Sequence, residues 1–254
     1  MRRVEKGRLV GRGGTAGVYE WERGRVLKLF APEFAYSADM EYENTRAVHA
    51  AGVRTPQVFE RLQVEGREGI VFERVEGPTL LEAPRAERGD LAARLAEIHA
   101  GIHAHESADL PTRADRGRQA ADRLGDVREA VAEREARVPD GRAVCHALFH
   151  PGHVLLSAAG PVIIDWPDAF SGPAALDVAR TAVYLRYLGV SSTEEAPRRE
   201  RLADAYLRAY LERTDVTAAE VERCKPLVAF VLLRYAPDHP ERAALERLSS
   251  LGPS

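Results

Sequence analysis

The chain has 254 residues, 45% hydrophobic and 30% charged, with a formal net charge of −3. That suits one large domain or two lobes with a real core, and excludes a disulfide mini-protein, a collagen-like chain and a disordered acidic tail. Two cysteines, Cys145 and Cys224, fit a reducing, cytoplasmic setting; the small charge gives no global field for nucleic acid, and no apolar run nears the roughly 20 residues of a membrane helix.

In chain order, residues 8–30 read as strands around a glycine-rich turn, with Val26, Leu27, Leu29 and Phe30 as apolar strand positions. Residues 37–51 read as a helix, capped by Ser37 or Asp39 and ended by Gly52. Two further strands are expected at Gln57–Glu65 and Gly69–Val75, after which Gly77 and Pro78 break the pattern. Leu91, Leu95, Ile98 and Ile102 then form one stripe of an amphipathic helix. Residues 113–137 are arginine-, glutamate- and alanine-rich and read as helix with a mostly solvated face. Short strands are expected at 154–157 and 161–165, and helices at about 174–188, 199–213 and 217–235, with a linker at 190–198. Strands early and helices late predict an α+β chain of two lobes, with a ligand cleft between them.

Three places could carry chemistry. The first is the loop Gly11-Arg12-Gly13-Gly14-Thr15-Ala16-Gly17. It reads equally as a plain hairpin turn or as a backbone cradle for phosphate. It is not a Walker loop, because no G-K-[ST] follows. The second is Lys28. Lysine occurs only at 6, 28 and 225 in a chain that otherwise uses arginine, so a lysine inside Val26-Leu27-Lys28-Leu29-Phe30 points to a specific task. A compact ammonium can pair a phosphate and a carboxylate together, the carboxylate coming from Glu41 or Glu43 on the next helix. The third runs from Cys145 to Leu156 and on to Asp165, where a carboxylate ends an apolar strand and requires a cation or a backbone partner. His146, His150 and His153 invite a zinc reading, but their spacing matches no strong zinc motif and Pro151-Gly152 breaks the helix that would align them.

The order of these features, with FERVEGPTL (72–80), HPGHVLLSAAGPVIIDW (150–166) and ALDVART (175–181), resembles the aminoglycoside phosphotransferase and choline-kinase-like family, relatives of protein kinases. The resemblance runs from about residue 8 to 235. It implies a two-lobed kinase-like α+β fold, with an N-lobe over 1–76 and a helical C-lobe over 77–254. It also implies ATP and Mg²⁺ as cofactors and a small hydroxylated molecule as acceptor or ligand. Gly11, Gly13, Gly14 and Thr15 would cover the phosphates. Lys28 would hold them, paired with Glu41, or Glu43 in a second register. Glu73 to Val75 would bind adenine through backbone groups, Asp165 would bind magnesium, and Asp177 would brace the catalytic loop.

One stretch departs from the family. Its catalytic loop, H-G-D-x-H-P-x-N, is here His146-Ala147-Leu148-Phe149-His150-Pro151-Gly152-His153. Leucine stands for the aspartate that accepts the substrate proton, and His153 for the asparagine that binds a second magnesium. Histidine can still offer one nitrogen to a metal. Three readings follow: a phosphotransferase in which His146, His150 or Asp168 replaces the base; a pseudokinase that binds nucleotide or a small ligand without transfer; and a kinase fold turned to other chemistry through His146, His150 and His153. The sequence leaves the acceptor and the oligomeric state open.

Overall fold

A computed structural model describes residues 6–124, 127–188, 195–236 and 238–250. The chain divides into two compact units, one of residues 1–79 with 153–168, the other of 80–152 with 169–254.

The first unit is built on five antiparallel strands: β1 (Leu9–Arg12), β2 (Ala16–Glu20), β3 (Arg25–Phe30), β4 (Val58–Val64) and β5 (Arg67–Glu73), in the order β1-β2-β3-β5-β4. β3 is central, pairing with both β2 and β5. Its alternation divides the core. Leu27 and Leu29 join Val64 and Val71 on one face, while Phe30 joins Ala16, Ala38, Ile70 and Phe72 on the other. Helix α1 (Ala35–Ala50) packs over this second face. Its buried residues include Ser37, Ala38, Glu41, Asn44, Thr45 and Val48, one stripe at helical spacing. That stripe puts a carboxylate and an amide where a purely apolar face would bury only hydrocarbon.

Ser37 and Asp39 do not cap α1. A short 3₁₀ turn, Pro32–Phe34, leads into the helix two residues earlier than expected, since proline favours a first turn. Gly52, at φ 92°, ends it as expected. The hairpin of β7 (Val154–Ser157) and β8 (Gly160–Ile163) also belongs to this unit, bonded to the connector through Leu156 N–H and Pro78 O at 2.8 Å.

The second unit is mainly helical: α2 (Arg85–Arg88), α3 (Leu91–His103), α4 (Arg113–Leu124), α5 (Arg128–Glu135), α6 (Ala174–Val183), α7 (Ala196–Leu211), α8 (Ala218–Tyr235) and α9 (Arg242–Ser249). Strands β6 (Ala143–Cys145) and β9 (Phe170–Gly172) form a small ribbon within it. The expected 113–137 helix is two helices, and residues 125 and 126 between them lie outside the described residues. Part of the expected 190–198 linker also lies outside them; from Ala196 the chain is already helix, because Pro197 fits a first turn. After α6, residues Tyr184–Leu188 continue as π-helix. α8 starts from a capping box made by Thr217 and Glu220. Among the described residues, no helix is long and apolar enough to cross a membrane.

Candidate active site

Lys28 sits on β3 between Val18 of β2 and Ile70 of β5, on the face covered by α1. Its Nζ lies 2.7 and 2.6 Å from the two carboxylate oxygens of Glu41 and 2.5 Å from Oδ1 of Asp165. Oδ2 of Asp165 lies 3.1 Å from Nε2 of His153. Four residues expected from sequence therefore meet in one unit, and Glu41 takes the register. Glu43 is exposed and pairs with Arg46 at 3.3 Å.

The electrostatics follow from burial and proximity. Burial opposes the charge on Lys28, but Glu41 and Asp165 outweigh it and hold the ammonium above its ordinary range. Burial pushes Glu41 up to about 7, only partly offset by Lys28. Burial also works against an ionised Asp165, yet Lys28 and His153 together hold it well below the usual carboxylate range. The cluster is a buried cation shared by two acids, the less buried of which keeps its charge firmly.

Asn44 escaped the sequence reading. It lies three residues after Glu41 on the buried stripe of α1, and its amide donates to Trp166 O at 3.0 Å and Pro167 O at 2.8 Å. Together with Ile164 N–H to His153 O (3.0 Å) and Trp166 Nε1 to Ile163 O (3.1 Å), it fixes the segment carrying Asp165. Asp165 has φ 73°, a left-handed conformation that a non-glycine residue keeps only when its surroundings impose it. Its i+3 spacing from Glu41, which places both on one face of α1, was the available signal.

The Gly11–Gly17 loop joins β1 to β2 as a hairpin closed by Gly13 N–H to Ala16 O at 2.9 Å. A Cβ at Gly14 would meet nothing within 4 Å, so steric demand does not require glycine there. Thr15 is half-buried and its carbonyl accepts from Ala31 N–H at 2.9 Å. Glu73 closes β5, its N–H donating to Gln57 O at 2.8 Å, and Val75 is half-buried in the connector beyond it.

The helical unit holds a second polar cluster. Asp177, fully buried on α6, accepts the backbone N–H groups of His146 (2.5 Å) and Ala147 (2.8 Å). Its Oδ2 also faces Nε2 of His99 at 3.1 Å and of His103 at 3.3 Å. The other ring nitrogens face the hydroxyls of Tyr206 (2.6 Å) and Tyr210 (2.7 Å), so two i,i+4 pairs interlock from α3 and α7. Although burial alone would raise it, these donors hold Asp177 well below the usual range. Burial, reinforced by His103, drives His99 down to about 3, which keeps it neutral.

This network fixes the turn at 146–148. Ala147 adopts φ 71°, and Leu148, next along, is 41% exposed. His146 is buried, its Nδ1 accepting the Leu148 N–H at 3.4 Å, while His150 stacks on Tyr184 with centroids 4.9 Å apart. Among the described residues, the group spaced to share a metal ion is His99, His103 and Asp177, not the three histidines of 146–153.

The sequence matches the phosphotransferase enzyme family over residues 12–226. The chain belongs to that family. No curated protein matches the sequence. Among solved structures, an aminoglycoside-3'-phosphotransferase of type VIII is 24% identical, with a TM-score of 0.62 over 90% of this chain and 92% of that one. A choline/ethanolamine kinase family protein from Mesorhizobium loti is 17% identical, with a TM-score of 0.61 over 98% and 90%. A thermostable mutant of the aminoglycoside phosphotransferase APH(4)-Ia, solved with AMP-PNP and hygromycin B, is 19% identical, with a TM-score of 0.55 over 96% and 94%. The phosphotransferase fold is thus the kinase-like one expected from sequence, a β-rich N-terminal sheet followed by a larger, mainly helical part.

Proposed function

We propose that this phosphotransferase-family chain binds a nucleoside triphosphate through the Lys28 cluster, together with a small hydroxylated ligand, and that its phosphoryl-transfer step is disabled at position 148. The observation that carries the reading is the assembled Lys28–Glu41–Asp165 cluster, a buried cation placed by two carboxylates at 2.5–2.7 Å. A lysine held this way is pre-positioned for a polyphosphate at little further ordering cost. The Gly11–Gly17 hairpin and the connector at Glu73–Val75 take their phosphate and adenine roles from the family. Because the N–H of Glu73 already serves Gln57, adenine recognition falls to other backbone groups of that connector.

Leu148 aligns with the family's catalytic aspartate and can neither accept a proton nor orient a hydroxyl. Loss of a positioned base typically costs about 10²–10⁴ in rate. The histidines offer no ready replacement. The Nδ1 atoms of His146 and His150 accept backbone N–H groups, and His153 is bonded to Asp165. Residual phosphotransfer is the second reading, favoured by the retained Lys28 and Asp165.

The test is ADP formation from ATP across a panel of aminoglycosides, amino alcohols and sugars, for the wild type and for Leu148→Asp combined with His153→Asn. The wild type should remain at background, and the double variant should exceed it by about 10²–10⁴ with at least one acceptor. Robust wild-type turnover that Asp165→Ala abolishes would overturn the proposal.

A further inference from the structure

The donor set around Asp165 bears on which cation, if any, accompanies the nucleotide. The cluster contains four carboxylate oxygens. Both oxygens of Glu41 and Oδ1 of Asp165 are held by Lys28 Nζ, and Oδ2 of Asp165 is held by His153 Nε2. Each of the four already faces a nitrogen of this chain. Glu41 is also 2% exposed, so no incoming ion reaches it without displacing Lys28.

Magnesium asks for hard oxygen ligands in near-octahedral array at about 2.0–2.1 Å and gives up its water reluctantly. Imidazole nitrogen suits zinc, copper, iron and nickel instead. At His153 the chain presents such a nitrogen, and its contact with Oδ2 of Asp165 covers the oxygen that a cation would need. The residues present therefore do not fit Mg²⁺. They fit a carboxylate whose charge is already neutralised by side chains.

We infer that this site takes its nucleotide without a divalent cation, with His153 in the position a metal ion would otherwise claim beside Asp165. The inference rests on the nucleotide reading above and adds a cation requirement that the reading leaves open.

Calorimetric titration of the full chain with a non-hydrolysable ATP analogue tests it, in EDTA and again in excess Mg²⁺, on the wild type and on His153→Asn. Asparagine keeps the size of the polar group and offers an amide oxygen, a hard ligand, where the imidazole was. The wild-type Kd should agree between the two conditions within about threefold, and the variant should gain at least about tenfold from Mg²⁺. Wild-type binding that appears only with Mg²⁺ would overturn the inference while leaving the nucleotide reading intact. Equal binding by the variant in both conditions would overturn the assignment to His153. Absence of wild-type binding in both conditions would overturn the nucleotide reading itself, and the inference with it.

Discussion

Replacing Lys28 with methionine isolates the energetics of the buried cluster. In the wild type, Glu41 titrates near 7 because burial raises it and Lys28 partly restrains it. Without Lys28 that restraint is gone, while burial and Asp165 still act upward, so Glu41 in the variant stays protonated to higher pH. In the wild type Lys28 and His153 hold Asp165 well below the usual carboxylate range against its burial, and in the variant His153 remains as its partner.

The sign follows directly. Below pH 7 both folded proteins hold Glu41 largely protonated, and Lys28→Met costs the lost hydrogen bonds, about 1–3 kcal/mol. Above pH 7 the wild-type carboxylate ionises against Lys28, but the variant's still carries a proton that its unfolded chain has released. The variant then loses about 1.4 kcal/mol per pH unit relative to the wild type. Between pH 6.5 and 8.5 the stability gap should widen by about 2 kcal/mol. Urea denaturation of both proteins at the two pH values measures it, since titrations common to both cancel. A gap that does not change with pH would refute the picture of a buried Glu41 held by Lys28.

Two other substitutions probe the frame. Asp177→Asn keeps one acceptor oxygen and turns an amide N–H₂ toward either the single donor at Oδ1 or the three that converge on Oδ2, and removes the buried negative charge, so urea unfolding should show a loss of about 3–5 kcal/mol; a loss below about 1 kcal/mol would mean that the network is incidental. Gly77→Ala drives a Cβ into the Leu156 carbonyl at φ 139°, so the thermal midpoint should fall by an amount equivalent to at least about 2 kcal/mol; an unchanged midpoint would show that the connector is not seated on β7 as described.

What was legible in the sequence depended on how local its cause was. Lys28 stood out because lysine is scarce and strand alternation fixed its face, and Asp165 because a carboxylate ending an apolar strand demands a partner. Alternation and scarcity could not choose between Glu41 and Glu43; only the rotation of α1 does, and that rotation is seen in which residues it buries against the sheet. Asn44 was missed because a mid-helix asparagine ordinarily reads as solvated, and its partners are carbonyls more than 120 residues away. The resemblance singled out Asp177 as a brace, but its partners His99, His103, Tyr206 and Tyr210 were invisible for the same reason. His99 shares the stripe of Leu95 and Ile102, but Tyr206 and Tyr210 come from a helix that no local pattern links to α3. Strands β6 and β9 are three residues each, too short for a periodic signal.

The central claim is that the Lys28 cluster is a working nucleotide site, and thermal unfolding with and without ATP, on the wild type and Lys28→Ala, tests it most directly. Ligand at about 100 times Kd should stabilise the wild type by about 2.7 kcal/mol, raising its midpoint, and should leave Lys28→Ala unmoved. A wild-type midpoint unchanged at saturating ATP, or an equal rise in Lys28→Ala, would contradict the account.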